Sequence, residues 1–326
     1  TRAPWRPGGT VEIIAPTFRS GIRASSPNQI RPGGTEGFNP RPAGALPDMA
    51  LSRPCLPRRS LLAETMDHPE KERSLFPRWL NRAVLYQIYP QSFLDTNGDG
   101  IGDLHGIRAK LDYIHDLGCN TLWLNPCFDS PFQDAGYDVR DFRKVAPRYG
   151  TNEDLYRLFH DAHARGMRVI LDLVAGHTSL DHPWFVESAR PERNAFSDYY
   201  IWTNTVWDEV PPDLRFINGY SDRDGQFHVN FFHSQPALNY GFAEPDPRYP
   251  WQQPVTAPGP RAVRRELMDI MRFWLDAGAD GFRVDMAFSL VKGPGNRAAT
   301  VSFWQEIRQW MRRNWPEAAL IAEWGN

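Results

Sequence analysis

The sequence predicts an α/β fold: a partial (β/α)8 TIM barrel, about five of eight strands, with an inserted subdomain after the third strand. Three observations predict it. Short apolar runs alternate with helical stretches from Val84 onward, the signature of a parallel sheet. The run Val169-Ile170-Leu171-Asp172-Leu173-Val174 is nearly all apolar, as expected of a strand covered on both faces. A stretch rich in Pro and aromatics, roughly 178–260, interrupts the alternation once. An open doubly wound sheet is the structural alternative.

The elements follow in order. Val84 to Tyr89 reads as a strand. Leu104, Ile107, Leu111, Ile114 and Leu117 repeat at helical spacing, and Gly118 stops that helix. Thr121-Leu122-Trp123-Leu124 is a second strand. Thr151 caps the next helix, with Asp154 completing a capping-box pattern, and Gly166 ends it. After the interruption, 261–277 reads as a helix, 281–285 as a strand, 300–315 as a helix and 319–323 as a fifth strand. The expected division is 76–177 and 261–326 for the barrel, stopping at its fifth strand, and 178–260 for the subdomain.

Residues 1–75 stand apart. Pro, Gly and Arg dominate the first sixty, as in Arg31-Pro32-Gly33-Gly34, and neither a period of 2 nor one of 3.6 is sustained. Such a stretch buries too little apolar surface to offset its ordering entropy. The expectation is a disordered or non-native extension, with Met66 as the natural start.

The composition is that of a soluble globular chain: 41% hydrophobic with a net charge of −2, which argues against a general nucleic-acid binder. No apolar run is long enough to span a bilayer and no secretory signal is visible, so no membrane partner is expected. Cys55, Cys119 and Cys127 give no disulfide framework. If the strand between Cys119 and Cys127 is extended, the two lie roughly 25 Å apart, beyond disulfide reach. Free thiols point to a cytoplasmic location.

Three polar groups fall at the C-terminal ends of the expected strands: His177, Asp285 and Glu323. In a parallel barrel those ends share the face where active sites form. Arg283 and Asp285 are two apart, so period-2 alternation turns both to one side. An Arg beside an Asp is expected to lower the carboxylate's pKa and keep it ionised, which suits a nucleophile. Glu323 can serve as proton donor if its surroundings raise its pKa. A structural Arg–Asp pair with a surface Glu is the plainer alternative.

The surrounding words narrow the choice. Asp172-Leu173-Val174-Ala175-Gly176-His177, Gly281-Phe282-Arg283-Val284-Asp285-Met286-Ala287 and Ile321-Ala322-Glu323-Trp324 resemble three ordered signatures of the α-amylase family (glycoside hydrolase family 13). The resemblance covers about 80 to 326. It implies a retaining hydrolase of α-glucosidic bonds in an α-glucan or oligosaccharide. Asp285 would be the nucleophile, Glu323 the acid and base, and Arg283 the group that orients Asp285. Asp172 would brace Arg283. His177 would hydrogen-bond the sugar at the cleaved bond. Gln133 to Asp138 is similar to the family's loop after the second strand, where Asp134 would bind sugar hydroxyls and Tyr137 would stack beneath the ring. The 12 Trp residues suit sugar recognition as well as core packing.

Asp95 to Asp103 reads as a cation loop. Asp95, Asn97, Asp99, the Ile101 carbonyl and Asp103 place oxygens at alternate positions, and the glycines permit the turn. It resembles the loop of oligo-1,6-glucosidase-like members that binds structural Ca2+ (or Mg2+). A metal-free Asn/Asp-rich turn is the alternative.

Departures from the family pattern carry expectations too. Gly176 stands where an Asn that helps bind a second calcium is usual, so that calcium is not expected. Ala237 replaces an Asp in Gln235-Pro236-Ala237-Leu238-Asn239. The family's fourth signature, a His-Asp pair after the seventh strand, is absent, so the chain alone is expected to be inactive. A transglycosidase or isomerase such as trehalose synthase is the rival enzyme. A non-catalytic relative, such as a transporter heavy chain, would lose the carboxylates. A nucleotide binder would need a Gly-rich phosphate loop, which the acidic Asp95–Asp103 is not.

Overall fold

The computed structural model describes residues 76–325. The expectations for 1–75, including Cys55 and Met66, lie outside the described residues. A 3-10 turn, Arg78–Arg82, leads into β1 (Leu85–Ile88), a second turn (Pro90–Ser92), α1 (Leu104–Ala109) and α2 (Leu111–Asp116). Next come β2 (Thr121–Leu124), β3 (Phe128–Asp129), β4 (Asp141–Val145), α3 (Asn152–His163) and β5 (Arg168–Val174). The long interruption holds α4 (Pro183–Ser188), β6 (Phe216–Ile217) and β7 (Phe227–His228). Then follow α5 (Pro258–Asp276), β8 (Gly281–Asp285), a turn at Ala287–Ser289, α6 (Asn296–Asn314) and β9 (Ala319–Ala322).

Five strands form one parallel sheet in the order β1-β2-β5-β8-β9. That order follows the chain without reversal. It is the order of consecutive staves in a (β/α)8 barrel and not of a doubly wound sheet, whose order reverses at a switch point. The fold is therefore the first five staves of such a barrel, with the insertion after the third.

Strand parity divides the apolar residues between two layers. Tyr86, Ile88, Leu122, Leu124, Val169, Leu171, Phe282 and Val284 join the helices in the large core. Leu85, Trp123 and Ile170 pack with Ile321 on the concave side. Gln87, Asn125, Asp172 and Glu323 follow them two residues on toward the C-terminal ends, and Arg283 and Asp285 share that parity on β8 through the register with Asp172 and Ile321. The concave face is thus apolar at one end and polar at the other.

The helices confirm local signals. Thr151 accepts from the Asp154 N–H while Asp154 accepts from the Thr151 N–H, a complete capping box. α5 starts with Pro258 in its first turn. It buries Val263, Leu267, Ile270, Met271 and Trp274 on one face, each such side chain contributing about 1.5–3 kcal/mol. Trp274 meets its polar need by donating Nε1–H to Phe142 O at 2.7 Å. The expected helix over 104–117 breaks at Lys110 into α1 and α2, yet Leu104, Ile107, Leu111 and Ile114 all stay buried.

In the interruption, Phe185 stacks on Trp202 at 5.8 Å and meets Phe227 edge-on at 5.0 Å. These rings are continuous with the large core, whereas Ile201, Phe242 and Trp251 form a separate cluster. Trp207 is exposed. Cys119 and Cys127 are buried free thiols, and burial pushes Cys127 up to about 12.

Candidate active site

The strand register sets the centre. β5 and β8 pair so that Asp172 lies beside Arg283 and Val174 beside Asp285. Arg283 Nη1 donates to Asp172 Oδ1 at 2.8 Å and to Asp285 Oδ1 at 2.9 Å. Its Nη2 lies 3.0 Å from Glu323 Oε2, one residue past β9. One planar guanidinium therefore holds carboxylates from three neighbouring staves. Its underside is covered by Trp123, whose ring centroid is 5.1 Å from Cζ.

Two further contacts aim the carboxylates. Met286, just after β8, has a left-handed backbone with φ of 43°, uncommon for a side chain of its size. Its N–H points at Glu323 Oε2, 2.8 Å away. Asp172 is fully enclosed and takes hydrogen bonds from Trp123 Nε1 and the Tyr137 hydroxyl, both at 3.2 Å.

Burial dominates the electrostatics. Asp172 is pushed up to about 6 by loss of water, although Arg283 and its other donors favour ionisation. Asp285 is pushed up to about 7 by burial and then by the Asp172 carboxylate. The expected lowering of Asp285 by Arg283 thus fails: one cation shared among three anions cannot offset desolvation. Glu323 is ion-paired and its side chain is 46% exposed, so it looks toward open space.

His177 is 1% exposed and follows β5. Its Nε2 lies 3.1 Å from Tyr137 O and its Nδ1 lies 3.2 Å from Asn230 Nδ2. Both nitrogens are engaged by protein, so a sugar hydroxyl at His177 must share an N–H already in use. Burial holds it neutral, down to about 4. Tyr137 takes a hydrogen bond from Asn125 Nδ2 at 2.8 Å, and Asn125 in turn takes one from Gln87 Nε2 at 2.9 Å. Asp134 accepts from Gln235 Nε2 at 2.6 Å, which ties the loop after β2 to the insertion. Burial, foremost, raises the Asp134 pKa.

Sequence reasoning brought Asp172, Arg283, Asp285, Glu323, His177 and Tyr137 to one place but passed over Gln87, Trp123, Asn125, Asn230 and Lys292. Strand parity could have found the first three, since they share the concave face with Asp172 and Arg283. Asn230 and Lys292 gave no local signal. At Gly176, where the family pattern has Asn, a Cβ would come 2.6 Å from Asn230 Nδ2, so a larger residue would require that amide to move.

The acidic loop forms a separate group. Asp95 accepts from the N–H of Asn97, Gly98 and Gly100, and Asp99 accepts from the Ile101 N–H. Asp103 is buried, caps α1 through the Gly106 N–H and accepts from Thr96. Among the described residues no cluster of three or more His, Cys, Asp and Glu side chains is arranged around a metal position. The oxygens of Asp95, Asn97 and Asp99 are nonetheless hard donors with lone pairs left over, the chemistry a calcium or magnesium ion requires, whereas both Asp103 oxygens are already engaged by Thr96 and Gly106.

The chain matches the α-amylase catalytic domain over residues 87–325 and belongs to that family. It is 44% identical over 221 residues to an oligo-1,6-glucosidase of Heyndrickxia coagulans, covering 66% of this chain and 37% of that protein. It is 39% identical over 258 residues to a trehalose synthase/amylase TreS of Mycolicibacterium smegmatis, covering 75% and 40%. Among solved structures, the isomaltulose synthase SmuA from Protaminobacter rubrum superposes with a TM-score of 0.65 at 32% identity, over 76% of this chain and 45% of that one. The matched part thus spans about two-fifths of the curated relatives' length.

Proposed function

We propose that this chain carries the catalytic carboxylates of a retaining enzyme acting on α-glucosidic bonds of oligosaccharides. The observation that supports it best is the single Arg283 guanidinium joining Asp172, Asp285 and Glu323 at the ends of adjacent parallel strands. In this reading Asp285 Oδ attacks the anomeric carbon as the glycosidic C–O bond breaks. Glu323 gives its proton to the departing oxygen. Glu323 then takes a proton from water, whose oxygen displaces Asp285 from the anomeric carbon. Arg283 orients Asp285 and stabilises its charge. Tyr137 lies under the sugar, and Asp134 and His177 hold its hydroxyls.

The family relatives named for trehalose and isomaltulose synthesis favour a second reading, in which a sugar hydroxyl replaces water as acceptor. Both readings share the covalent intermediate. The substrate is an α-linked oligosaccharide in either case, and the buried free thiols suit the cytoplasm. Among the described residues no helix is long and apolar enough to cross a membrane. Asp95, Asn97, Asp99, the Ile101 carbonyl and Asp103 would hold a structural Ca2+ or Mg2+, which supplies rigidity to the loop after β1.

The test is to trap the intermediate with a 2-fluoro α-glucosyl fluoride, using protein expressed from its complete reading frame. A peptide carrying the sugar on Asp285 is expected. Turnover with inverted anomeric configuration would end the retaining reading. Product analysis on isomaltose and on maltose separates water from sugar as acceptor.

A further inference from the structure

Lys292 carries a buried ammonium that the reaction above does not use. It follows the turn after β8 and is 8% exposed. Among the described residues no carboxylate pairs with it. Nζ instead donates to Ser289 O and to Asn230 Oδ1, the latter at 3.2 Å. Enclosing an ammonium without a carboxylate is costly. Backbone bonds hold it in place: Lys292 N–H to Gly241 O at 3.0 Å and Ala243 N–H to Lys292 O at 2.9 Å.

The ammonium fixes the direction of every bond beyond it. An ammonium only donates, so the Asn230 atom facing it is the carbonyl oxygen. The amide nitrogen then faces His177 Nδ1 and can only donate. Nδ1 must be the acceptor and carries no proton. On the other side of the ring, Tyr137 O only accepts, so Nε2 carries the proton. Both neighbours bias the ring the same way, and each contributes part of the preference. Asn230 Nδ2 also lies 3.3 Å from Ser289 Oγ, which donates to Met286 O at 2.9 Å. The same cluster therefore reaches the residue whose N–H touches Glu323.

We propose that Lys292 is a positioning residue: through Asn230 it sets His177 as the Nε2–H tautomer and so anchors the Tyr137 carbonyl, on the residue whose side-chain hydroxyl reaches Asp172. The link to sugar binding rests on the reading of His177 and Tyr137 given above. Glycine at 176 belongs to the device, because a larger residue would displace the Asn230 amide. Burial keeps His177 neutral, and the Lys292 charge acts in the same sense.

The test is 15N NMR of histidine-labelled protein, expressed from the complete reading frame, at pH 7, with parallel kinetics. The parent protein is expected to show His177 protonated on Nε2 and bare at Nδ1. Asn230→Asp keeps a partner for Lys292 but offers Nδ1 only an acceptor, so a proton should appear on Nδ1. Lys292→Met frees the amide to turn and should give mixed tautomers, with kcat reduced about tenfold and KM changed less. An unchanged Nε2–H tautomer in both variants, or an Nδ1–H tautomer in the parent, overturns the proposal whatever the activity. Tautomer changes without any glucoside turnover in the parent protein would sustain the control of His177 by Lys292 and remove the catalytic reading alone.

Discussion

Arg283 Nη2 meets Glu323 Oε2 at 3.0 Å, while Nη1 of the same guanidinium holds Asp172 and Asp285. Three anions on one cation leave surplus negative charge on a mostly enclosed face. Removing the cation should therefore be severe. Arg283→Met leaves Asp172 and Asp285 facing each other without a counter-charge, at an expected loss of about 3–5 kcal/mol at pH 8. At pH 5 both carboxyls bind protons more readily, because both already sit above the ordinary range. The deficit should then narrow. Urea denaturation at the two pH values measures it, and an equal deficit at both would contradict the shared-cation account.

Asp285→Asn separates catalysis from stability. Asp285 has a folded pKa of about 7 against an ordinary 3.8. The folded state therefore favours its protonated form. That contribution is complete below about pH 4 and is lost as pH rises through 7. The Asn variant should melt higher than the parent at pH 8 and converge with it at pH 4, while losing turnover. In protein expressed from the complete reading frame, the parent's kcat/KM should rise with pH across an acid limb near 7, as the nucleophile ionises. Thermal melts across this range, alongside the rate profile, check both halves; a variant less stable at pH 8 would reverse the sign.

The readability of this chain follows the range of each interaction. β2 and β8 stand where their apolar runs put them, and the Thr151 capping box is read from neighbours three apart. The α1–α2 break at Lys110 escaped because a one-residue kink leaves the spacing of Leu104, Ile107, Leu111 and Ile114 intact. The β3–β4 hairpin escaped because β3 is only two residues long. Arg283 and Asp285 were legible through strand parity. The pKa direction of Asp285 was not, since burial and the Asp172 charge come from other strands. Asn230 is 53 residues from His177 and 62 from Lys292, so nothing local announces their contact.

Gly281 begins β8 with φ of 145°, and a Cβ there would fall 2.1 Å from Ala319 O and 2.6 Å from Ala319 N. Both atoms are backbone of the neighbouring strand and cannot swing aside. Gly281→Ala is expected to cost on the order of 3 kcal/mol or more and to pry β9 from β8. Glu323 lies one residue beyond β9, so its grip on Arg283 should weaken with the strand. A folded variant should lose activity more than Gly118→Ala, whose position has no atom within 4 Å and whose cost is limited to its left-handed backbone at φ of 87°. Equal stability of the two variants would contradict the close approach.

The acidic loop offers a test independent of turnover. Asp95 is held below the ordinary carboxylate range by the N–H groups of Gly100 and Gly98. Asp103 also lies low: burial opposes its ionisation, but the N–H groups of Thr96 and Gly106 and the Thr96 hydroxyl outweigh it. Ionised oxygens around a turn favour a divalent cation, and an ion that binds only the folded loop stabilises it by mass action. At a hundredfold excess over Kd the gain is about 2.7 kcal/mol. Adding calcium to chelator-treated protein should raise Tm, and Asp95→Asn with Asp99→Asn should abolish the rise. Magnesium should act in the same direction if the loop tolerates the shorter metal–oxygen distance. A melting curve indifferent to both ions would leave Asp95 to Asp103 as a turn closed by its own backbone, with Asp103 serving α1 only as its cap.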